Sequence, residues 1–386
     1  MTLKGLMERA GLSQREVARD LGLSAAAVNA IVNHGQWPKR NTAAIKDKMG
    51  ALLRNEGATE AEIRAALGAG QRKTKATAVA EQKKEDAMLL RRQGLFPETK
   101  RHFRLHADPF GDGVRSHEDV FLSSDIRYVR EALLQTAKHG GFMAVVGESG
   151  SGKSTLRRDL VDRITREGAP VHVIEPYVLG MEDNDKTGKT LKALHIAEAI
   201  MAVVAPLERI MSSPEARFRQ LHRVLRDSKR AGHSHCLIIE EAHGLPLPTI
   251  KHLKRFWELE DGFSKLLSVI LLGQPELRQK LSETNHEVRE VVQRCEVVEL
   301  RPMNGSLGDY VKFKFERAGV DVADIITADG IEALRTKLTG PASRGGARDS
   351  VSLVYPLAVG NMLIAGMNMA AEIGAPKVNA DIIKQV

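Results

Sequence analysis

Apolar residues follow two different rhythms along the chain. From Leu3 to about Leu67 they recur at helical spacing and predict short helices. Ser13 is placed to cap a helix over residues 14–20, with Glu16 completing a capping box, and Gly22 permits a sharp turn. Ser24 caps a second helix over 24–33, whose Val28, Ile31 and Val32 share a face that can pack on Val17, Ala18 and Leu21. Residues 68–86, GAGQRKTKATAVAEQKKED, have no apolar period and read as a flexible linker. Beyond them, apolar runs bounded by turn residues fall at 142–146, 171–175, 237–239, 269–272 and 297–300, alternating with helical stretches. That alternation predicts an α/β fold, a parallel sheet with helices on both faces. After Pro302 the pattern turns helical, near 306–318, 328–338 and 350–372.

A chain of 386 residues has room for two or three folded units, and 42% hydrophobic with 27% charged residues is ordinary for a globular protein. Two cysteines, Cys236 and Cys295, cannot build a disulfide framework or a cysteine-rich zinc site, which fits a reducing cytosol. No run approaches the ~18 apolar residues that span a bilayer, and the N-terminus lacks a signal-peptide core. The expected location is therefore the bacterial cytoplasm, away from membranes. Aromatic residues make up only 4% of the chain, which argues against base-stacking RNA modules. Charge is uneven: residues 1–107 hold 20 Lys and Arg against 11 Asp and Glu, a net of +9, while the remainder is −1. A compact basic module on a near-neutral body is an electrostatic footprint for nucleic acid, although a solvated basic linker has the same charge.

The two N-terminal helices resemble the helix-turn-helix of phage repressors, whose second helix lies in a major groove. Its first positions are Ala25, Ala26 and Ala27, its amides are Asn29 and Asn33, and it has no arginine to grip a guanine. Lys39, Arg40, Lys46 and Lys48 follow and suit phosphate contacts. The expectation is salt-sensitive, largely sequence-non-specific binding to double-stranded DNA, against the alternative that these helices only pack or meet other proteins.

The chemistry is concentrated at GESGSGKST: Gly147, Glu148, Ser149, Gly150, Ser151, Gly152, Lys153, Ser154 and Thr155. It satisfies G-x-x-x-x-G-K-[ST] between an apolar strand and a helix-compatible stretch. Glycines let backbone N–H groups turn toward phosphate oxygens, Lys153 reaches the β and γ phosphates of ATP, and the Ser154 hydroxyl ligates Mg2+. CLIIEEAH, residues 236–243, adds an apolar strand ending in two carboxylates. Strand alternation would send Glu240 and Glu241 to different sides, Glu240 to the metal and Glu241 to the attacking water.

Together these motifs resemble the AAA+ ATPases, in the branch that holds secretion-type ATPases and the phage Mu B transposition ATPase. The resemblance runs from LHADPF to the C-terminus and implies a P-loop core over 101–302 and a helical lid over 303–386, after a helix-turn-helix domain at 1–67 and a linker at 68–100. It places Pro109 and Phe110 near the base. LLGQPELR puts Gln274 at the sensor-1 position, and VVQRCEVVELRPM makes Arg294 the arginine finger with Arg289 in reserve. GGARDSVSLVYPLAVGNMLIA puts Arg348, or else Arg344, at sensor 2. Glutamate at Glu240, where the family usually has aspartate, puts the hydrolysis rate in doubt and suits a slow assembly switch.

A finger arginine serves a neighbour's ATP, so the resemblance also implies a ring or filament of this chain enclosing DNA. The loop VLGMEDNDKTGKTLKAL offers Lys186, Thr187, Lys189, Thr190 and Lys192 to the phosphate backbone. The row Arg217, Arg219, Arg223 and Arg226 is a second basic surface that reads first as a solvated helix face. The leading expectation is an ATP-dependent, DNA-stimulated ATPase that coats target DNA and delivers it to an integrase-like transposase. A secretion-type ATPase and a nucleotide-switched DNA-binding regulator are the alternatives.

Overall fold

The computed structural model describes residues 3–10, 12, 14–34, 37, 42–56, 58–59, 62–63, 91–111, 114–176, 191–282, 288–341 and 350–386. The chain divides into two compact units, residues 1–88 and 89–386.

In the first unit, α1 (Leu3–Arg9), α2 (Gln14–Leu21), α3 (Ala25–His34) and α4 (Thr42–Asn55) share one apolar core. Val17 and Val28 meet there with no exposed surface, beside Leu6, Ile31, Met49 and Leu53. Gly22 takes φ 66°, a left-handed turn that glycine adopts without strain, and Leu23 N–H donates back to Ala18 O at 2.9 Å. The Ser24 hydroxyl accepts from Ala27 N–H at 3.2 Å and so starts α3. Ser13, Lys39 and Arg40 lie outside the described residues.

The second unit is built on five parallel strands: β1 (Phe142–Val146), β2 (Val171–Ile174), β3 (Ser234–Ile239), β4 (Ser268–Gly273) and β5 (Glu296–Glu299). Their order is β2-β3-β4-β1-β5. Every residue of β1 is buried because successive side chains feed two different cores. Phe142, Ala144 and Val146 pack on one side of the sheet; Met143 and Val145 pack on the other. The expected α/β architecture, a parallel sheet with helices on both faces, is what the chain forms.

Helix α5 (Pro97–His102) joins the C-terminal helices, and around the sheet lie α6 (Ser124–His139), α7 (Lys153–Arg166), α8 (Ala193–Val204), α9 (Pro214–Arg230), α10 (Leu247–Trp257), α11 (Pro275–Lys280) and α12 (Arg289–Val292). Helix α7 is tied to α6 by a bidentate pair from Arg130 to the buried Asp159, at 2.5 and 2.9 Å. A C-terminal helical layer follows: α13 (Leu307–Arg317), α14 (Val322–Ile325), α15 (Ala328–Lys337), α16 (Pro356–Glu372) and α17 (Ala380–Gln385). Its centre is α16, whose Val359, Leu363 and Met367 are fully buried.

Two boundaries differ from the sequence expectation. The helix expected over 350–372 begins only at Pro356, and Ser350–Ser352 pairs instead with Thr339–Pro341 as a short antiparallel ladder. Proline suits a first helical turn and holds the preceding Tyr355 extended, at φ −113° and ψ 156°. The packed body also begins inside the stretch read as linker, with Leu95 and Thr99 buried against the C-terminal helices. Asn368 of α16 accepts from Phe96 N–H at 3.2 Å and from the Thr99 hydroxyl at 2.8 Å, and it donates to Gly94 O at 3.0 Å. One turn of helix is too short to display a period, so this segment was silent in the sequence.

Candidate nucleotide site

Strand β1 leads into a loop whose shape demands its glycines. Gly147 N–H donates to Gly273 O at 3.1 Å, and a Cβ on Gly147 would lie 2.6 Å from the Ser151 hydroxyl. Gly150 and Gly152 take φ 74° and 99°, and a Cβ on Gly150 would lie 2.3 Å from Leu357 Cβ. Gly152 then opens α7 with no side-chain cap, leaving first-turn N–H groups and the positive end of the helix dipole at the loop. Lys153 folds back over it, donating to Gly147 O at 2.7 Å and Glu148 O at 2.8 Å. Burial pulls the Lys153 pKa down, while the carboxylates of Glu241, Glu148, Glu240 and Glu276 oppose the shift. Inside the same turn the Ser151 hydroxyl is buried without a hydrogen-bond partner among the described residues. Such a cradle fits a polyphosphate.

The paired carboxylates diverge through a turn rather than by strand alternation, because β3 ends at Ile239. Glu241 adopts φ 49°, a left-handed conformation that strains a residue with a Cβ. Its side chain is mostly exposed, with Oε2 lying 3.5 Å from His243 Nδ1. That same nitrogen accepts from the Gln274 backbone N–H at 3.4 Å, so Glu241, His243 and Gln274 lie side by side, with the Nδ1 lone pair already taken by Gln274. Glu240 instead turns to Arg157 of α7 at 3.3 Å, and Arg157 also holds Glu175 at 2.7 Å.

Lys153, Ser154 and Thr155 line a cleft of about 920 Å³ together with Ser149, Gly150, Gly152, Glu241 and Gln274. Phe110 joins the lining and packs edge-on against Phe315, with centroids 5.6 Å apart, whereas Pro109 is buried outside it. Glu240 is not part of that lining; its carboxylate is committed to Arg157. The opposite wall comes from Arg92, Gln93 and Gly94, from Tyr310 and Lys314 on α13, and from Pro356, Leu357, Gly360 and Asn361 on α16. Sequence reasoning missed Arg158, Asp108, Lys314, Asn361 and His243. Arg158 follows the P-loop in LRRD and could have been found there; KFKFER around Lys314 reads as any exposed helix.

Other expected residues fall elsewhere. Arg294 is exposed outside the cleft, donating to Glu290 O at 3.3 Å and lying 3.9 Å from Glu258; Arg289 is exposed at the start of α12. Arg344, Arg348, Lys186, Thr187, Lys189 and Thr190 lie outside the described residues. Lys192 is exposed just before α8, and Asn29 is exposed on α3. The arginine row on α9 is paired within the chain: Arg217 with Glu198 at 2.7 Å, Arg223 with Glu208 at 2.7 Å, and Arg219 with Glu215.

A glycine cradle, its lysine and a carboxylate facing them across one cleft are the working parts of a P-loop nucleotide site. Residues 135–281 match the family described as AAA domain. This AAA domain stretch contains β1 to β4, the P-loop, both carboxylates and Gln274. The chain is also 27% identical over 211 residues to General secretion pathway protein A of Aeromonas hydrophila, covering 53% of this chain and 35% of that protein. It thus spans about a third of the length of that relative. Among solved structures, the ORC2 protein of Aeropyrum pernix is similar with a TM-score of 0.46 and 15% identity, over 72% of this chain and 70% of that one. Drosophila ORC bound to DNA gives 0.48 and 11%, over 80% and 72%. No described helix is long and apolar enough to cross a membrane.

Proposed function

We propose that the chain is an ATP-dependent, largely sequence-non-specific DNA-binding AAA+ ATPase that assembles on target DNA and delivers it to an integrase-like transposase. The observation that carries the ATPase part is the meeting of Lys153, Ser154, Thr155, Glu241 and Gln274 in one cleft. Lys153 exchanges its two loop carbonyls for phosphate oxygens, and the N–H groups of the loop hold the polyphosphate in register. Glu241, the exposed carboxylate of the cleft, accepts a proton from the attacking water, beside Gln274 in the same lining. Ser154, together with Glu240 if it turned from Arg157, would hold a magnesium ion, which would supply charge neutralisation on the phosphates. Arg294, exposed and weakly held, is free to reach a neighbour's site, as a finger must. The basic N-terminal unit and Lys192 supply phosphate contacts to DNA.

A second reading, a secretion-type ATPase, is favoured by the similarity to General secretion pathway protein A. Electron microscopy of the chain with ATP and random-sequence DNA separates the two. Regular assemblies that need both ligands support the first reading; particles indifferent to DNA overturn it. Arg294→Ala should bind ATP as a monomer yet lose these assemblies. Mixed with Glu241→Gln it should regain some hydrolysis, because an interface between complementary subunits joins an intact arginine to an intact carboxylate.

A further inference from the structure

Lys314 of α13 has an unusual setting for a lysine. It is half-buried, and no described residue lies within hydrogen-bonding or ion-pairing distance of its ammonium. Its neighbours on the same helix are paired, Lys312 with Glu316 and Arg317 with Asp119. Burial lowers the Lys314 pKa, and the charges of Asp119 and Asp108 oppose that shift. Both carboxylates are engaged elsewhere: Asp119 accepts from Arg317 and from the N–H groups of Arg115 and Ser116, and Asp108 accepts from Phe110 N–H. A desolvated ammonium without a partner is unfavourable until a ligand brings an acceptor.

Its position says which part of a ligand that would be. Lys314 lines the phosphate cleft and also a smaller recess of about 130 Å³, walled by Val120, Phe121, Leu156, Met303 and Tyr355 with Asp125 and Arg301 at its polar side. Gly152 and Thr155 of the P-loop border both spaces as well. A nucleotide whose phosphates occupy the loop would pass its base into this recess, where a donor left unpaired by the described residues can set orientation and specificity.

We propose that Lys314 reads the base: its ammonium donates a hydrogen bond to a ring acceptor of the purine and so selects the nucleoside triphosphate. This rests on the nucleotide reading of the cleft. With the full chain, Lys314→Met keeps the aliphatic stem and removes the donor, so ATP affinity should fall about tenfold while inorganic tripolyphosphate binds within about twofold of wild type. Lys314→Arg should restore most of the loss. Equal losses for both ligands would make Lys314 a general phosphate cation, and no loss for either would leave it without a role; both outcomes overturn the proposal. The unaltered chain supplies a test that does not depend on how a variant folds. Of 1-deaza-, 3-deaza- and 7-deaza-ATP, at least one should bind about tenfold more weakly than ATP. If all three bind like ATP, the proposal fails. If the wild type binds neither ATP nor tripolyphosphate, it is the nucleotide reading itself that has failed.

Discussion

The floor of the candidate nucleotide cleft comes from one short run within residues 149–155, while another wall is assembled from Gly94, Lys314 and Asn361, which lie in three distant parts of the chain. On the floor, each residue's task follows from local geometry: glycines where a Cβ would collide, a lysine that can reach back over its own loop, a hydroxyl beside it. In the wall, nothing is local. Asn368 bonds Gly94 across 274 residues, and only the folded C-terminal layer brings α13 and α16 to face the P-loop. Chemistry that depends on contiguous backbone is written in a short motif; chemistry that depends on packing is not.

This contrast can be broken by substitution. Lys153→Ala should have the largest effect, reducing ATP affinity by about 100-fold or more, because a charge-assisted pair to phosphate is lost from a buried site. Isothermal titration checks it, and near-normal affinity would move the floor's key contact elsewhere. Glu241→Gln should leave ATP binding intact and slow turnover by about 100-fold in a steady-state assay, since the amide keeps the shape but accepts no proton. Asn368→Ala should act on stability rather than chemistry. It strands Gly94 O, Phe96 N–H and the Thr99 hydroxyl, a loss of about 2 kcal/mol in urea unfolding. The smallest effect belongs to Arg223→Ala on α9, below about 1 kcal/mol, because its partners Glu208 and Asp227 are solvent-exposed. Should Asn368→Ala weaken ATP binding as much as Lys153→Ala, the wall would be as much a part of the chemistry as the floor.

The sheet was legible because buried parallel strands are continuous apolar runs. Residues 142–146 were read to the residue, and the ends of the others shifted by one to three positions. Gly22 and Ser24 likewise announced the turn between α2 and α3, since each has a local task there. The region before Pro356 misled because SVSLV runs on into YPLAV with no polar break between them, and the proline's effect on its predecessor outweighs that continuity. The divergence of Glu240 and Glu241 was anticipated, but its cause was not: the left-handed backbone at Glu241 has no sequence signal when the residue is not glycine. His243 went unremarked because its partners, Glu241 and Gln274, meet only in the folded chain.

The contact between Gly150 and Leu357 ties the phosphate loop to the far end of the second unit. Leu357 N–H, in the first turn of α16, donates to Gly150 O at 3.3 Å, and no side chain caps that helix. A helix of 17 residues is roughly 25 Å long at ~1.5 Å per residue, so it reaches from the P-loop to the segment around Gly94 and Phe96. A reshaping of the loop that tilts α16 by about 5° carries its Glu372 end through roughly 2 Å, given that length. Because Asn368 sits near that end and bonds Gly94 and Phe96, such a tilt would be felt where the second unit begins.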